Sequence, residues 1–115
     1  MATDLFAGIP VSDYDAAHDF YARLLGAEPA FYPNDREAVW EVGEHRYVYI
    51  VLLPADAGHA RTLIFADDLD ARVAGASARG IEPALQEAPA PAVRKVTYRD
   101  PDGNELSFGG SSGSD

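Results

Sequence analysis

Apolar residues alternate with other residues near the start of the chain and then change to helical spacing. The alternating positions are Leu5, Ala7, Ile9 and Val11. The helically spaced positions that follow are Ala17, Phe20, Tyr21 and Leu24. Alternation is typical of a β-strand with one face against a core, and a three-to-four spacing is typical of an amphipathic helix. Ser12 or Asp13 can cap this helix and Gly26 can end it, so a strand is predicted to run directly into a helix.

The same pattern returns about 55 residues later. The stretch "IPVSDYDA" at 9–16 matches "IFADDLDA" at 64–71, and "GAEPA" at 26–30 matches "GIEPA" at 80–84. In this second copy the alternating positions are Thr62, Ile64 and Ala66, and the helical ones are Leu69, Val73 and Ala76. Asp67 or Asp68 can cap the second helix and Gly80 can end it. The chain therefore contains one unit written twice.

Extended structure is predicted after each helix, because Pro29 and Pro83 disfavour helix in the residue before them. In the first copy "AVWEV" and "RYVYIVLL" read as strands joined by the turn "GEH". The second copy has a short strand near 82–87, a Pro/Ala-rich loop "EAPAPA", and the strands "VRKVTYR" and "ELSF" across "DPDGN". The sequence predicts an α+β fold of two βαβββ modules, at about 5–53 and 61–109 with a linker at about 54–60. The Gly/Ser-rich segment 110–115 is expected to be a flexible tail.

Length and composition restrict the classes of function. With 115 residues and 47% hydrophobic residues, the chain suits one compact domain. The net charge of −10 with only nine scattered Lys and Arg residues argues against nucleic acid as a partner. The chain has no cysteine, which excludes disulfides and cysteine-bound zinc. Neither a signal segment nor an apolar run of the ~20 residues needed to cross a membrane is present, so a soluble, cytoplasmic protein is expected.

Two motifs carry a resemblance to a known family. The duplicated βαβββ unit, the "DxDA" that opens each helix and the stretch "RKVTYRDPDGNELSF" resemble the vicinal oxygen chelate superfamily of glyoxalases, bleomycin-resistance proteins and extradiol dioxygenases. The resemblance covers roughly residues 5–109. It implies two sheets curled around a cleft, often within a homodimer, and in some members a divalent metal in that cleft. Without the resemblance, "DPDGN" would indicate only a hairpin turn.

The resemblance also indicates where a metal would be held. The family's ligand positions fall on Phe6, Arg61 and Ser107, and the fourth falls near Tyr49 or Val51. A divalent ion requires imidazole, carboxylate or similar oxygen ligands, and the fixed positive charge of Arg61 would repel it. The sequence therefore predicts that the metal site is lost and that no cofactor is bound.

Histidine residues provide the alternative metal hypothesis. His18 on the first helix and His45 in the turn "GEHR" are expected to be exposed. His59 shares the strand parity of Arg61, and Glu105 shares that of Ser107, so a displaced His59/Glu105 site is an open alternative. The ordinary interpretation is a loop histidine and an exposed glutamate at a strand end.

Alternation assigns the residues that face the predicted cleft. If Ile9 and Val11 face the helix, the other face of the first strand shows Phe6 to the cleft. The expected ligand-binding residues are Phe6, Trp40, Tyr47, Tyr49, Arg61, Phe65 and Ser107. Such aromatic walls with a few polar groups are typical of small-molecule pockets, although core or dimer-interface packing of the rings is the competing interpretation. Arg61 has a competing interpretation too, as a surface ion pair with Glu105.

No motif in the sequence builds a recognisable reaction centre. The chain lacks a nucleophile motif, a phosphate-binding glycine loop and paired carboxylates, and Glu41 is the one acid inside an apolar strand. The leading hypothesis is a metal-free protein that binds an aromatic or amphipathic small molecule, as a homodimer. The alternatives are a metal-dependent lyase, isomerase or dioxygenase with displaced ligands, and a module whose aromatic face binds another protein.

Overall fold

A computed structural model describes residues 2–111 and contains the two predicted modules. The first consists of β1 (Leu5–Val11), α1 (Tyr14–Leu25), β2 (Phe31–Asn34), β3 (Glu37–Gly43) and β4 (Arg46–Leu52). The second consists of β5 (Arg61–Phe65), α2 (Leu69–Ala78), β6 (Leu85–Ala90), β7 (Val93–Arg99) and β8 (Glu105–Ser111). A short 3₁₀ turn at Pro54–Asp56 lies in the linker between them. No helix of the described residues is long and apolar enough to cross a membrane.

Each module forms its own four-stranded sheet with the same strand order. The first sheet has the order β1-β4-β3-β2 and the second has the order β5-β8-β7-β6. In each sheet the first strand pairs in parallel with the last, and the other pairs are antiparallel. The α+β architecture of two βαβββ modules is thus confirmed, and it leaves β1 and β5 each at an edge of its sheet.

One face of each sheet packs into a shared core. Ile9, Val48 and Ile50 from the first sheet and Val96 and Phe108 from the second are at most 2% exposed and belong to the same cluster. The facing predicted for β4 is correct, because its aliphatic positions point to the core and its tyrosines point away. We call these two sides the core face and the open face of each sheet. Leu5 lies on the same side of β1 as Ile9, but at the start of the strand it is 67% exposed, so the core does not extend to it.

The helix ends are capped in different ways. Asp13 caps α1 as predicted, since its carboxylate accepts from the amide of Ala16 at 3.1 Å. Asp68 stands at the corresponding position of α2, but its carboxylate accepts no backbone amide and is held by Arg72 Nε at 2.8 Å instead. The prediction of a side-chain cap on α2 is therefore wrong.

Two arginines each cap the C-terminal end of the other's helix. Arg79 follows α2 and donates to the carbonyl of Arg23 at 2.5 Å. Arg23 is in the last turn of α1. Arg23 in return donates to the carbonyl of Arg79 at 3.3 Å. Cations favour helix C-termini, where carbonyls lack intrahelical partners. This exchange joins the two modules at the helix ends.

The "DPDGN" turn also joins the two modules through a buried polar network. Asn104 is fully buried: its side-chain oxygen accepts from the amides of Gly58 and Ala60, and its side-chain nitrogen donates to the carbonyl of Pro10 at 2.8 Å and to Asp100. Asp100 accepts in addition from the Tyr21 phenol at 2.8 Å. The turn therefore does more than reverse the chain, because its side chains bind β1, α1 and the linker.

The Tyr21 phenol should contribute measurably to stability. Burial, and then the Asp100 carboxylate, raises the pKa of the Tyr21 phenol far above its ordinary value, so the phenol remains a donor at neutral pH. Tyr98 is a matched control, because its phenol is buried and has no hydrogen-bond partner among the described residues. We expect Tyr21→Phe to lower the free energy of unfolding by about 1.5–3 kcal/mol, and Tyr98→Phe to leave it unchanged or raise it, because removing a buried hydroxyl without a partner removes its desolvation cost. Urea unfolding at pH 7 would measure both, and equal losses would contradict the network.

Two boundaries differ from the sequence predictions. The predicted loop "EAPAPA" is partly strand, since β6 continues to Ala90. β6 tolerates Pro89 because it is an edge strand, where a missing amide donor breaks no ladder bond on the solvent side. The prediction of a flexible tail from residue 110 is wrong for Gly110 and Ser111, because these two residues complete β8 opposite β7. Positions 112–115 lie outside the described residues.

Candidate functional site

Aromatic side chains cover the open face of the first sheet. Phe6 on β1 and Tyr47 on β4 are neighbours in the ladder, and their rings stack with centroids 4.5 Å apart and planes at 12°. Phe31 on β2 approaches Tyr47 edge-on at 6.3 Å. Phe6 and Phe31 are 46% and 43% exposed, which is unusual for rings of this size. We call Phe6, Phe31, Tyr47 and Tyr49 the aromatic face.

A glycine leaves room for the fourth ring of the aromatic face. Gly8 lies directly opposite Tyr49 in the parallel ladder. A Cβ at position 8 would lie 2.7 Å from the ring carbon and oxygen at the far end of Tyr49. The far end of the Tyr49 ring therefore lies over the β1 backbone at Gly8, and only glycine permits this contact.

Trp40 does not belong to the aromatic face, so this part of the site prediction is wrong. It lies opposite Val48 on the core face, is 1% exposed, and packs near Tyr21 with ring centroids 6.2 Å apart. Its indole nitrogen donates to the carbonyl of Ala27 at 2.8 Å. The pairing of Trp40 with Val48 places Trp40 on the core face, because residues opposite each other in a ladder point to the same face of the sheet.

The open face of the second sheet has a different chemistry. Arg61, Leu63 and Phe65 alternate along β5 and point to this face, as predicted. Arg61 lies 3.5 Å from one carboxylate oxygen of Glu105, so it forms the ion pair that was its competing interpretation. Arg99 lies 3.3 Å from the other oxygen of the same carboxylate. Ser107 is also on this face but is 3% exposed, and its hydroxyl lies 2.7 Å from that of Thr97.

A groove of about 750 Å³ lies between the two edge strands β1 and β5. Leu5 and Tyr47 line it from the first module, and Leu63 and Phe65 line it from the second. Small-molecule pockets are of this size. The lining is mixed, because the charged residues Arg46, Asp67, Asp68 and Arg72 also line the groove. Phe65 and Leu63 are 66% and 58% exposed, so the groove has apolar walls open to solvent.

The residues at the family's ligand positions do not fit a metal. Phe6 stacks on Tyr47, Arg61 pairs with Glu105, and the Ser107 hydroxyl is engaged by Thr97. Among residues 2–111 no group of three or more His, Asp or Glu side chains could hold an ion. Glu105, half of the alternative site with exposed His59, is held between two arginines instead. The donor set here does not suit a divalent ion.

The other histidines have partners away from these positions. His18 lies 2.9 Å from the Tyr32 hydroxyl and stacks on that ring at 5.9 Å between centroids. His45 lies 2.6 Å from Asp4. His45 is exposed as expected, but the prediction of an exposed His18 is wrong, because its ring is half-buried and packs near Tyr32 and Trp40.

Acid–base chemistry has little support on the aromatic face. Partial desolvation, and then the charges of Glu41 and Asp4, raises the pKa of the Tyr47 phenol above its ordinary value. The phenol is therefore protonated at neutral pH and can donate a hydrogen bond but cannot act as a base. Glu41 is exposed on the open face opposite Tyr47, in keeping with its interpretation as an outward residue. The arrangement suits binding.

Comparison with known proteins identifies the family. A sequence profile of the Glyoxalase/Bleomycin resistance protein/Dioxygenase superfamily matches residues 4–108. The chain belongs to this superfamily. A glyoxalase/bleomycin resistance protein from Catenulispora acidiphila DSM 44928 is 54% identical, with 95% of this chain and 98% of that chain covered and a TM-score of 0.91. No curated protein sequence matches the chain with comparable significance.

Two further solved structures with a similar fold are of binding proteins. A bleomycin-binding protein complexed with bleomycin is 20% identical, with 96% of this chain and all of that chain covered and a TM-score of 0.74, which supports the shared fold alone. The antibiotic-binding protein TnmS3 from Streptomyces sp. CB03234 is 26% identical, with 97% and 98% covered and a TM-score of 0.70.

The residues on the open faces that were not predicted from the sequence include Phe31, Lys95 and Thr97. The last two could have been found, because the "DPDGN" turn fixes the register of β7 on β8. Counting from the pair Arg99 and Glu105 places Thr97 opposite Ser107, and Lys95 opposite Gly109. Phe31 could not be placed, because the register of β2 on β3 is irregular.

Proposed function

We propose that this protein binds an aromatic or amphipathic small molecule on the aromatic face and needs no metal to do so. The stacked, half-exposed pair of Phe6 and Tyr47 beside the groove is the observation that carries the proposal. Offset stacking on these rings favours a planar aromatic ligand. Burial of the exposed ring surface by the ligand also increases the affinity.

The superfamily supports binding as a function of this fold. A bleomycin-binding protein and an antibiotic-binding protein share the architecture. Binding requires affinity and no reaction centre. A binding protein therefore does not depend on metal ligands at the family's metal-ligand positions. We therefore favour ligand sequestration over the lyase, isomerase and dioxygenase chemistry that other members perform with a metal.

The proposal includes a homodimer in which a second copy covers part of the open faces. Apolar side chains more than 40% exposed are concentrated on or beside these faces; they include Phe6, Phe31, Leu63, Phe65 and Leu85. Contiguous apolar surface of this kind marks an interface or a binding groove. Sedimentation of the purified protein should give the mass of two chains, and a stable monomer would remove this part of the proposal.

Metal removal separates the binding proposal from the enzyme alternative. Purified protein should contain no stoichiometric metal, and its melting temperature should be unchanged by a chelator or by Mn²⁺, Fe²⁺, Ni²⁺ or Zn²⁺. One ion per chain or per dimer that raises the melting temperature would contradict the proposal. If His59→Ala then abolished that stabilisation, the displaced His59/Glu105 site would be established instead.

A further inference from the structure

Positively charged side chains collect on the open face of the second sheet, although the chain as a whole carries a net charge of −10. Strand pairing aligns Arg61, Glu105 and Arg99 in one row, and Phe65, Gly109, Lys95 and Glu87 in another. This face therefore carries three cations and two carboxylates. The open face of the first sheet carries Glu37, Glu41 and the aromatic face.

Lys95 has an unpaired charge within this face. The Glu105 carboxylate is only 25% exposed and is shared by Arg61 and Arg99, so it is already neutralised. Lys95 is half-buried, and among residues 2–111 no carboxylate, its cross-strand neighbour Glu87 included, lies within ion-pair distance of it. A half-buried ammonium without a counter-charge favours an anion beside it.

A small pocket joins these groups. Its volume is about 70 Å³, and Arg61, Leu63, Lys95, Glu105 and Ser107 line it together with Thr62. Beside the pocket, Gly109 has no side chain, and the Phe65 ring lies over its backbone. A Cβ at position 109 would lie 3.0 Å from that ring. The pocket thus has a cationic rim and an apolar side next to the groove.

The pocket also offers a hydroxyl donor. Thr97 and Ser107 are each 3% exposed and are hydrogen-bonded to each other at 2.7 Å. Each hydroxyl has one hydrogen, and their mutual bond uses only one of the two. The second hydrogen has no acceptor among the side chains that the structure describes, so it is free to bind an anionic oxygen.

We infer that the ligand is an aromatic anion, whose carboxylate, sulfonate or phosphate group binds between Lys95 and Arg61 above the hydroxyls of Ser107 and Thr97. The inference rests on the proposed function and names the chemical class of its ligand. The aromatic part lies against Tyr47 of the aromatic face, at the groove that Tyr47 and Phe65 both line.

Two fluorescent dyes of matched shape test the inference: anionic anilinonaphthalene sulfonate and neutral N-phenylnaphthylamine. Wild-type protein should bind the anionic dye at least about threefold more tightly. Lys95→Gln should remove this preference while leaving the affinity for the neutral dye unchanged. Arg94→Gln is the matched control, because Arg94 is the preceding residue, carries the same charge, and points to the other face, where it pairs with Asp70.

The outcomes separate this inference from the proposed function. Binding of both dyes with no preference for the anion, or equal losses in Lys95→Gln and Arg94→Gln, would overturn the anion pocket and leave the aromatic site in place. Failure of both dyes to bind would overturn the aromatic site and the anion pocket together.

Discussion

Replacing Asn104 with alanine is expected to lower the free energy of unfolding by about 3–4 kcal/mol, because it breaks a buried polar network at several points. The substitution would leave the amides of Gly58 and Ala60 and the carbonyl of Pro10 without partners. These groups belong to the linker and to β1, so the two modules would lose their main polar connection. Urea unfolding at neutral pH would measure the loss.

Asn34→Ala provides the control for this prediction. Asn34 also accepts a backbone amide, that of Arg36 at 2.8 Å, but the contact is exposed. Its loss should cost less than about 1 kcal/mol. A cost for Asn104→Ala no larger than that of the control would show that the turn acts only as a hairpin. Asn104→Asp has nearly the same shape but places a second carboxylate beside Asp100. The two negative charges repel each other when both groups are ionised, so this variant should lower the free energy of unfolding more at pH 7 than near pH 4.

Replacing Gly8 with alanine is expected to weaken ligand binding about tenfold at a stability cost of about 1 kcal/mol. The added Cβ would lie 2.7 Å from the far end of the Tyr49 ring, so the ring must lift from the β1 backbone. A lifted ring occupies space above the aromatic face, where the ligand is proposed to stack. The backbone itself can accept alanine, because Gly8 lies in extended strand without a positive φ.

A second substitution and a control make the Gly8 prediction specific. In a Tyr49→Ala background there is no ring for the new methyl group to displace, so adding Gly8→Ala should change the affinity little further. Gly75→Ala, on α2, introduces the same methyl group far along the chain, against the flexible side chain of Arg79, and should leave affinity unchanged. Unchanged affinity in Gly8→Ala would place the ligand elsewhere.

Sequence patterns predicted the two modules because duplication and periodicity are local signals. The alternation in β1 and β4 also placed the tyrosines and the aliphatic residues on the correct sides. Trp40 was misplaced because "AVWEV" is apolar at successive positions, so the pattern gives no parity and only pairing with Val48 decides the face. Arg61 was placed on the correct face. Its partner Glu105 lies 44 residues later in the chain, and only the pairing of β5 with β8 brings the two together.

The role of the "DPDGN" turn could not be predicted from its own letters. Gly103 supplies a positive φ of 93°, which is the local reason for a turn. The partners of its polar side chains, however, are Pro10, Ser12 and Tyr21, at the opposite end of the chain. Short-range propensities contain no information on contacts of such separation. The same holds for Arg23 and Arg79, which cap each other's helices across the module boundary.

Titration of chelator-treated protein with N-phenylnaphthylamine tests the central claim most directly. The account predicts saturable fluorescence enhancement in the wild type, with the same affinity before and after metal removal, and a loss of about tenfold or more in Tyr47→Ala. Absence of saturable binding, or binding that appears only when a divalent ion is restored, would contradict a metal-free aromatic site on the first sheet.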